Sequence, residues 1–335
     1  MQRYQLRFIY GNLRSAIRRR DWPAAWRELG RALAAQLPAC PDPTEIRVAA
    51  SLMRDQLSYR GAKPAELAML RNGIKTLVKL EDLPVDEALA LAREAAGTHT
   101  TVVSALYRKD YLLLRTRPAA PGDVDPLITL YCSVDDSARE LWRMEANQRE
   151  DPRRAGRLLQ IPPCCIDAFA RDCDRARHDQ DTLNDDACRR VLATATPSDP
   201  GDWRLNPLAN DELLGFYPCT ARCPAAAQRA GQVLAALPTE QAQRAERQLR
   251  RPALYFRLPF FATFADCWQG DHLVVDDCAV NALPDRATRT AQALFATALQ
   301  TELLQAPTLH NDRLPYAAGH SDVESAAPPL LCRWQ

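Results

Sequence analysis

The chain has 335 residues, 47% hydrophobic and 25% charged, enough for two domains that each bury an ordinary core. Lys and Arg total 43 against 42 Asp and Glu, a formal net charge of +1, so the strongly basic balance of a nucleic-acid binder is missing. No stretch approaches the roughly 20 apolar residues of a membrane span and the N-terminus lacks the apolar core of a signal peptide, so a cytoplasmic protein without a nucleic-acid or membrane partner is expected.

The first hundred residues read as helix after helix. Leu6, Ile9, Leu13 and Ile17 recur three and four apart, the spacing of one helical face. Asp21-Trp22-Pro23 supplies an N-cap and early proline for a second helix through Gln36. Asp42-Pro43-Thr44-Glu45, Lys63-Pro64-Ala65-Glu66 and Leu83-Pro84-Val85-Asp86-Glu87 repeat proline with an acid in the first turn, as helix starts do. An all-helical bundle over residues 1–97 follows, with Arg18-Arg19-Arg20 on a solvated face.

From Thr98 the texture becomes β-branched and aromatic. Thr100–Tyr107 and Tyr111–Thr116 flank Arg108-Lys109-Asp110 as a hairpin, Arg117–Asp125 is a proline-rich surface loop, and Leu127–Cys132 is a further strand. A helix is expected from Asp135 towards Ala146, and others from Ile166, over Ala225–Leu237 and over Ala287–Leu304. Leu254–Phe264 and His272–Val275 are strand-like about a turn at Gln269-Gly270-Asp271. The expected class is α+β: a helical bundle (1–97), a cysteine-rich α+β domain with a small sheet (98–306), and an aperiodic C-terminal extension (307–335).

In a reducing cytoplasm the 11 cysteines do not read as a disulfide framework. Two clusters stand beside proline, Pro162-Pro163-Cys164-Cys165 and Pro218-Cys219-Thr220-Ala221-Arg222-Cys223-Pro224. Proline favours the first helical position, so both clusters are placed at helix N-termini, where free N–H groups and the helix dipole favour thiolate over thiol. Cys219 and Cys223 fall one turn apart on a helix, within reach of one ion. Consecutive helical side chains diverge by about 100°, so only a helix cap lets Cys164 and Cys165 face the same centre. If one of that pair is merely a buried hydrophobe, three ligands and an open position remain; with both, the site is a closed four-thiolate set.

Cys173 lies too far along its helix to share the ion, while Cys40, Cys188 and Cys332 have no partner in the sequence pattern. Cys132, Cys267 and Cys278 sit in or beside strand-like segments, the latter two with a possible supporting role. None of His99, His178, His272, His310 and His320 forms a spaced metal-binding pair. The hydrolase, P-loop and dinucleotide signatures are missing as well.

The run Gly156-Arg-Leu-Leu-Gln-Ile-Pro-Pro-Cys-Cys-Ile-Asp-Ala-Phe169, followed by Phe216-Tyr-Pro-Cys-Thr-Ala-Arg-Cys223, resembles the uncharacterised prokaryotic domain-of-unknown-function family 483. That family's pattern is close to G-x-L-L-G-x-P-x-C-C-x-x-x-F and then P-C-S-x-x-C. The resemblance covers roughly residues 127–285, with Gln160 in place of a usual glycine and Thr220 in place of a usual serine. It implies a shared cysteine site and no particular activity.

The expectation is therefore a metalloprotein in which Cys164, Cys165, Cys219 and Cys223 bind an iron–sulfur cluster, or else a single zinc or iron. An iron–sulfur enzyme would perform redox or sulfur chemistry on a small molecule or peptide. The alternatives are a non-catalytic interaction module braced by structural zinc, with a protein partner at the N-terminal bundle, and a dithiol redox enzyme or sensor using Cys219 and Cys223.

Overall fold

The computed structural model describes residues 2–19, 21, 24–25, 27–28, 63–110, 115–121, 123, 126–147, 151–176, 183–208, 213–257, 260–265, 268–269, 272–274, 278–280, 298–299, 302, 308–310 and 330–335. It combines helices with small antiparallel sheets, an α+β chain. Two compact units divide it: Met1–Tyr59 with Leu192–Gly201 and Arg250–Gln335, and Arg60–Val191 with Asp202–Leu249. The expected division at residue 98 does not coincide with this one. No helix among the described residues is long and apolar enough to cross a membrane.

In the first unit, α1 (Gln2–Arg18) buries Ile9, Leu13, Ala16 and Ile17, the face the spacing predicted. Arg14 and Arg18 of that helix both donate to the buried Glu302 carboxylate, at 2.7 and 2.8 Å. The second helix of the expected bundle and the one at Asp42 lie almost wholly outside the described residues.

In the second unit, α2 (Lys63–Arg71) starts at the Lys63-Pro64 signal. Residues 77–84, read from sequence as part of the helical bundle, instead form strand β1 (Leu77–Pro84). The Leu83-Pro84 signal does open helix α3 (Val85–Ala95), and β1 runs directly into it. Strands β2 (Thr100–Val103), β3 (Tyr107–Asp110), β4 (Arg115–Pro118) and β5 (Leu127–Ser133) complete a five-stranded sheet. The expected hairpin is displaced. β2 pairs with β5 rather than with its successor, and Arg108-Lys109-Asp110, expected as the turn, lie within β3 opposite Arg115–Arg117 of β4.

The sheet is covered on both faces, which is why β5 is almost continuously buried. On one face Val78, Leu80, Leu83, Ile128, Leu130 and Cys132 pack with Leu70 and Ala88. On the other, Leu77 and Tyr131 meet Ala138 and Leu141 of α4 (Ser137–Ala146). Beyond it come α5 (Pro152–Leu158), α6 (Pro163–Ala176), α7 (Leu183–Leu192), a 3-10 turn at Trp203–Leu205, α8 (Pro224–Ala236) and α9 (Thr239–Leu249). The apolar faces of α6, α8 and α9 and the 3-10 turn share a second core with α2, comprising Met69, Cys165, Leu205, Leu214, Cys223, Ala230, Val233 and Leu249 among others.

The remaining strands belong to the first unit. β6 (Ala253–Arg257), β7 (Phe260–Phe264), β10 (Cys278–Val280) and β12 (Leu330–Cys332) form one antiparallel sheet, and β8 (Trp268–Gln269), β9 (His272–Val274) and β11 (Thr308–His310) another. Gln269 faces His272 across the expected turn. The described parts of the C-terminal extension belong to this unit: β11 pairs with β9, β12 pairs with β6, and Leu331, Cys332 and Trp334 are buried. Three-residue strands are too short to carry a legible alternation, hence the aperiodic reading. Of the helix expected over Ala287–Leu304, residues 298, 299 and 302 are described and helical.

Candidate metal centre

The approach to the first cysteine pair is built by a tight chain reversal. Gly156 of α5 leaves room for Ile166 of α6, for a Cβ at that position would lie 2.7 Å from Ile166 Cγ1. Helix α5 then ends on Gln160, whose φ of 56° is left-handed. Ile161 N–H donates to the Gly156 carbonyl at 2.9 Å and Gln160 N–H to the Arg157 carbonyl at 3.0 Å, the paired bonds of a Schellman closure. The Gln160 side chain accepts from Thr76 N at 3.1 Å. Pro162 follows at once, and its carbonyl accepts from Cys165 and Ile166 N–H at 2.9 and 3.0 Å. Cys164 and Cys165 therefore occupy the first turn of α6, as their position after two prolines predicts.

The second cluster differs from its expected form. Cys219 and Cys223 are not one turn apart on a helix: Cys219 lies in the turn before α8 and Cys223 is the residue that caps it, with Pro224 at the first helical position. Thr220 holds that turn together, its carbonyl accepting from Cys223 N–H and its hydroxyl from Arg222 N–H, each at 3.3 Å.

The folding of these two segments brings all four sulfurs together. The Sγ atoms of Cys164, Cys165, Cys219 and Cys223 lie within 4.8 Å of one another. The 164–165, 164–223 and 165–223 separations are 3.9, 3.6 and 3.7 Å, far beyond the roughly 2.05 Å of a disulfide bond. Cys165 and Cys223 are buried at 1% and 2% exposure, Cys219 is half-buried and Cys164 is exposed. The Cys219 N–H donates to Cys165 Sγ at 3.3 Å. Four convergent thiols of this kind are a donor set compatible with a metal ion, and the first turns of α6 and α8 present their N–H ends to the anionic sulfurs.

Burial sets the thiol acidities apart. It pushes Cys165 well above its ordinary range, against the Cys219 N–H bond that opposes it. Burial, with hydrogen bonding to Cys223, pushes Cys219 up to about 11. At Cys223 burial also acts upward, but the Ala226 N–H in the first turn of α8 and the three neighbouring thiols outweigh it, and the net direction is down. Of Cys165, Cys219 and Cys223, the last is thus the one shifted towards thiolate.

Among the described residues the group of candidate ligands holds these four alone. Cys173 is further along α6, Cys188 is buried in α7, Cys132 in β5 and Cys332 in β12, and Cys278 lies in β10; Cys40 and Cys267 lie outside the described residues. What the sequence reading missed is the support behind Cys219. Asp172 of α6 is fully buried and Arg190 of α7 donates to it at 2.9 Å, while Arg190 Nη1 reaches the carbonyls of Pro218 and Cys219 at 2.6 and 2.7 Å. Neither residue belongs to a spaced motif, so no pattern in the sequence flags them.

A scan against protein-family models finds no match, nor do searches of curated proteins and of solved structures.

Proposed function

We propose that this chain is a metal-binding protein whose Cys164, Cys165, Cys219 and Cys223 hold one ion, most simply zinc, in a closed four-thiolate centre. The separation of the sulfurs carries the reading. A tetrahedral ion with metal–sulfur bonds of about 2.3 Å spaces its sulfurs about 3.8 Å apart, and the three pairs among Cys164, Cys165 and Cys223 stand at 3.6, 3.7 and 3.9 Å, with all four sulfurs within 4.8 Å of one another. An iron–sulfur cluster divides its thiolates between different irons joined by sulfide, which spreads the sulfur envelope wider than one ion does. The compact set of four therefore favours the single ion over the cluster that cysteine content alone suggested. A single iron satisfies the same distances.

Four protein ligands leave no open position, the character of a structural site. Bound there, the ion supplies a bridge between the start of α6 and the loop before α8. One observation favours a second, reactive reading: Cys164 is exposed, so a metal-activated thiolate at that position is within reach of a small electrophile or a peptide thiol. A protein partner at the N-terminal region concerns a stretch of which residues 29–62 lie outside the described residues. The left-handed backbone at Gln160 and the close approach at Gly156 are physical reasons for glycine at both positions of the pattern.

Elemental analysis and sulfide assay of anaerobically purified protein test the assignment. Zinc at one equivalent per chain, colourless and sulfide-free, is the expected result; iron with matching acid-labile sulfide would replace the single ion with a cluster. Cys223→Ser separates the two roles, since a brace loses metal and fold stability together whereas a reactive site loses reactivity with Cys164→Ser and keeps its fold.

A further inference from the structure

We infer that Asp172 and Arg190 form a positioning clamp for the Cys219 ligand, tying the metal centre's two cysteine segments together from behind. The inference rests on the single-ion reading above. Asp172 stands on α6, the helix that begins with Cys164 and Cys165, and its carboxylate is fully buried. Arg175 and Arg190 both pair with it, Arg190 through Nε at 2.9 Å. The same guanidinium turns its Nη1 to two successive main-chain carbonyls, Pro218 at 2.6 Å and Cys219 at 2.7 Å. One planar group therefore joins the helix of the first ligand pair to the turn of the second.

Chemistry favours arginine for this task. Its fork reaches a carboxylate and a pair of carbonyls at fixed angles, whereas a lysine ammonium is a point donor on a flexible stem. A buried carboxylate is costly unless paired and hydrogen-bonded, and pairing Asp172 in turn fixes the orientation of the fork. Within the turn it holds, the bonds to Thr220 are 3.3 Å long. Two guanidiniums share the single Asp172 carboxylate, so the group keeps one net positive charge, and Arg190 brings its guanidinium beside the Cys219 main chain. Four thiolates around a divalent ion carry a net charge of −2, and a cation held there offsets it. Groups that orient metal ligands in this way typically govern affinity by about 10–100-fold.

The test uses the full chain loaded with Co²⁺, whose visible ligand-field bands report the geometry of the thiolates and whose release to a chromophoric chelator gives the affinity. Arg190→Lys and Asp172→Asn are expected to weaken cobalt binding by about 10–100-fold and to shift the bands. Leu83→Ala, which opens the sheet core and touches neither cysteine segment, lowers thermal stability while leaving the bands in place. Should one of the two clamp variants fail to fold, the other carries the test. The clamp is overturned if the wild type binds cobalt and both folded variants bind it within twofold, with unchanged bands. If the wild type takes up neither cobalt nor zinc, the single-ion reading fails and the clamp with it.

Discussion

Gly156→Ala probes the contact that sets α5 against the helix of the first cysteine pair. The new Cβ meets Ile166 Cγ1 at 2.7 Å, Cδ1 at 3.0 Å and Cγ2 at 3.3 Å, so Ile166 or the start of α6 has to move. Overpacking of this kind costs about 1–3 kcal/mol. Replacing a helical glycine with alanine returns about 1 kcal/mol of backbone propensity, so the single variant is destabilised by about 0–2 kcal/mol. In an Ile166→Ala background all three clashing atoms are gone and only the propensity gain remains. That background itself costs about 2–5 kcal/mol, because Ile166 is 6% exposed, but Gly156→Ala within it is expected to stabilise. Urea unfolding of the four proteins closes the cycle, with an expected coupling of about 1–3 kcal/mol. A coupling below about 0.5 kcal/mol, within ordinary additivity, would refute the close approach of these helices.

Further outcomes follow from the same structure. Gln160→Ala keeps the left-handed backbone and removes the acceptor for Thr76 N–H, and is expected to lower stability by about 0.5–1.5 kcal/mol in urea melts. Gln160→Gly also loses the acceptor but relieves about 1–2 kcal/mol of conformational strain, so it should melt at or above the alanine variant. In the first unit, the hydrogen bond from Arg18 holds the Glu302 carboxyl below its ordinary value; burial opposes this and Arg14 reinforces it. A carboxylate with a depressed pKa stabilises the fold above its unfolded pKa of about 4.3 and ceases to do so as pH falls through the folded value. The stability difference between wild type and Glu302→Gln, followed by denaturant melts, should therefore be present at neutral pH and shrink below about pH 4.

Much of the second unit's helical framework was legible because proline and acidic residues mark helix starts locally. Lys63-Pro64, Leu83-Pro84, Pro162-Pro163 and Cys223-Pro224 all open helices in the structure. Leu77–Pro84 was not legible: a strand of eight residues carrying Lys79, Glu81 and Asp82 lies among helical signals, and only its pairing with β5 makes it a strand. The hairpin register failed for a related reason, since β2 finds its partner beyond the next two strands, a choice made by tertiary packing rather than by the turn. At the candidate metal centre the four cysteines were readable from clustering, but their convergence was not. It depends on the left-handed exit from α5, on Cys223 capping rather than entering α8, and on Arg190, and none of these leaves a mark at fixed spacing.

The cysteine pairs stand more than fifty residues apart in the chain, and the core they join is not the core of the sheet. Cys165 and Cys223 belong to the apolar cluster of α2, α6, α8 and α9, whereas the two faces of the five-stranded sheet pack through Val78, Leu80, Leu130, Leu77 and Tyr131 without any of the four ligands. Closing a loop of this length costs about 3–4 kcal/mol of chain entropy, and thiolate–metal bonding supplies far more. If the four cysteines hold an ion as proposed, its removal would act unevenly. The sheet would keep its two covered faces, while the helical cluster would lose the metal bridge between its first and second cysteine segments and keep the Asp172–Arg190 link and the Cys219 N–H bond to Cys165 Sγ. Amide hydrogen exchange of chelator-treated protein is thus expected to accelerate in α6, the Cys219 loop and α8, with β1 and β5 still protected. Equal acceleration in both halves would show that one cooperative core spans the unit, and the metal would then be a condition of its whole fold rather than a fastening within its helical half.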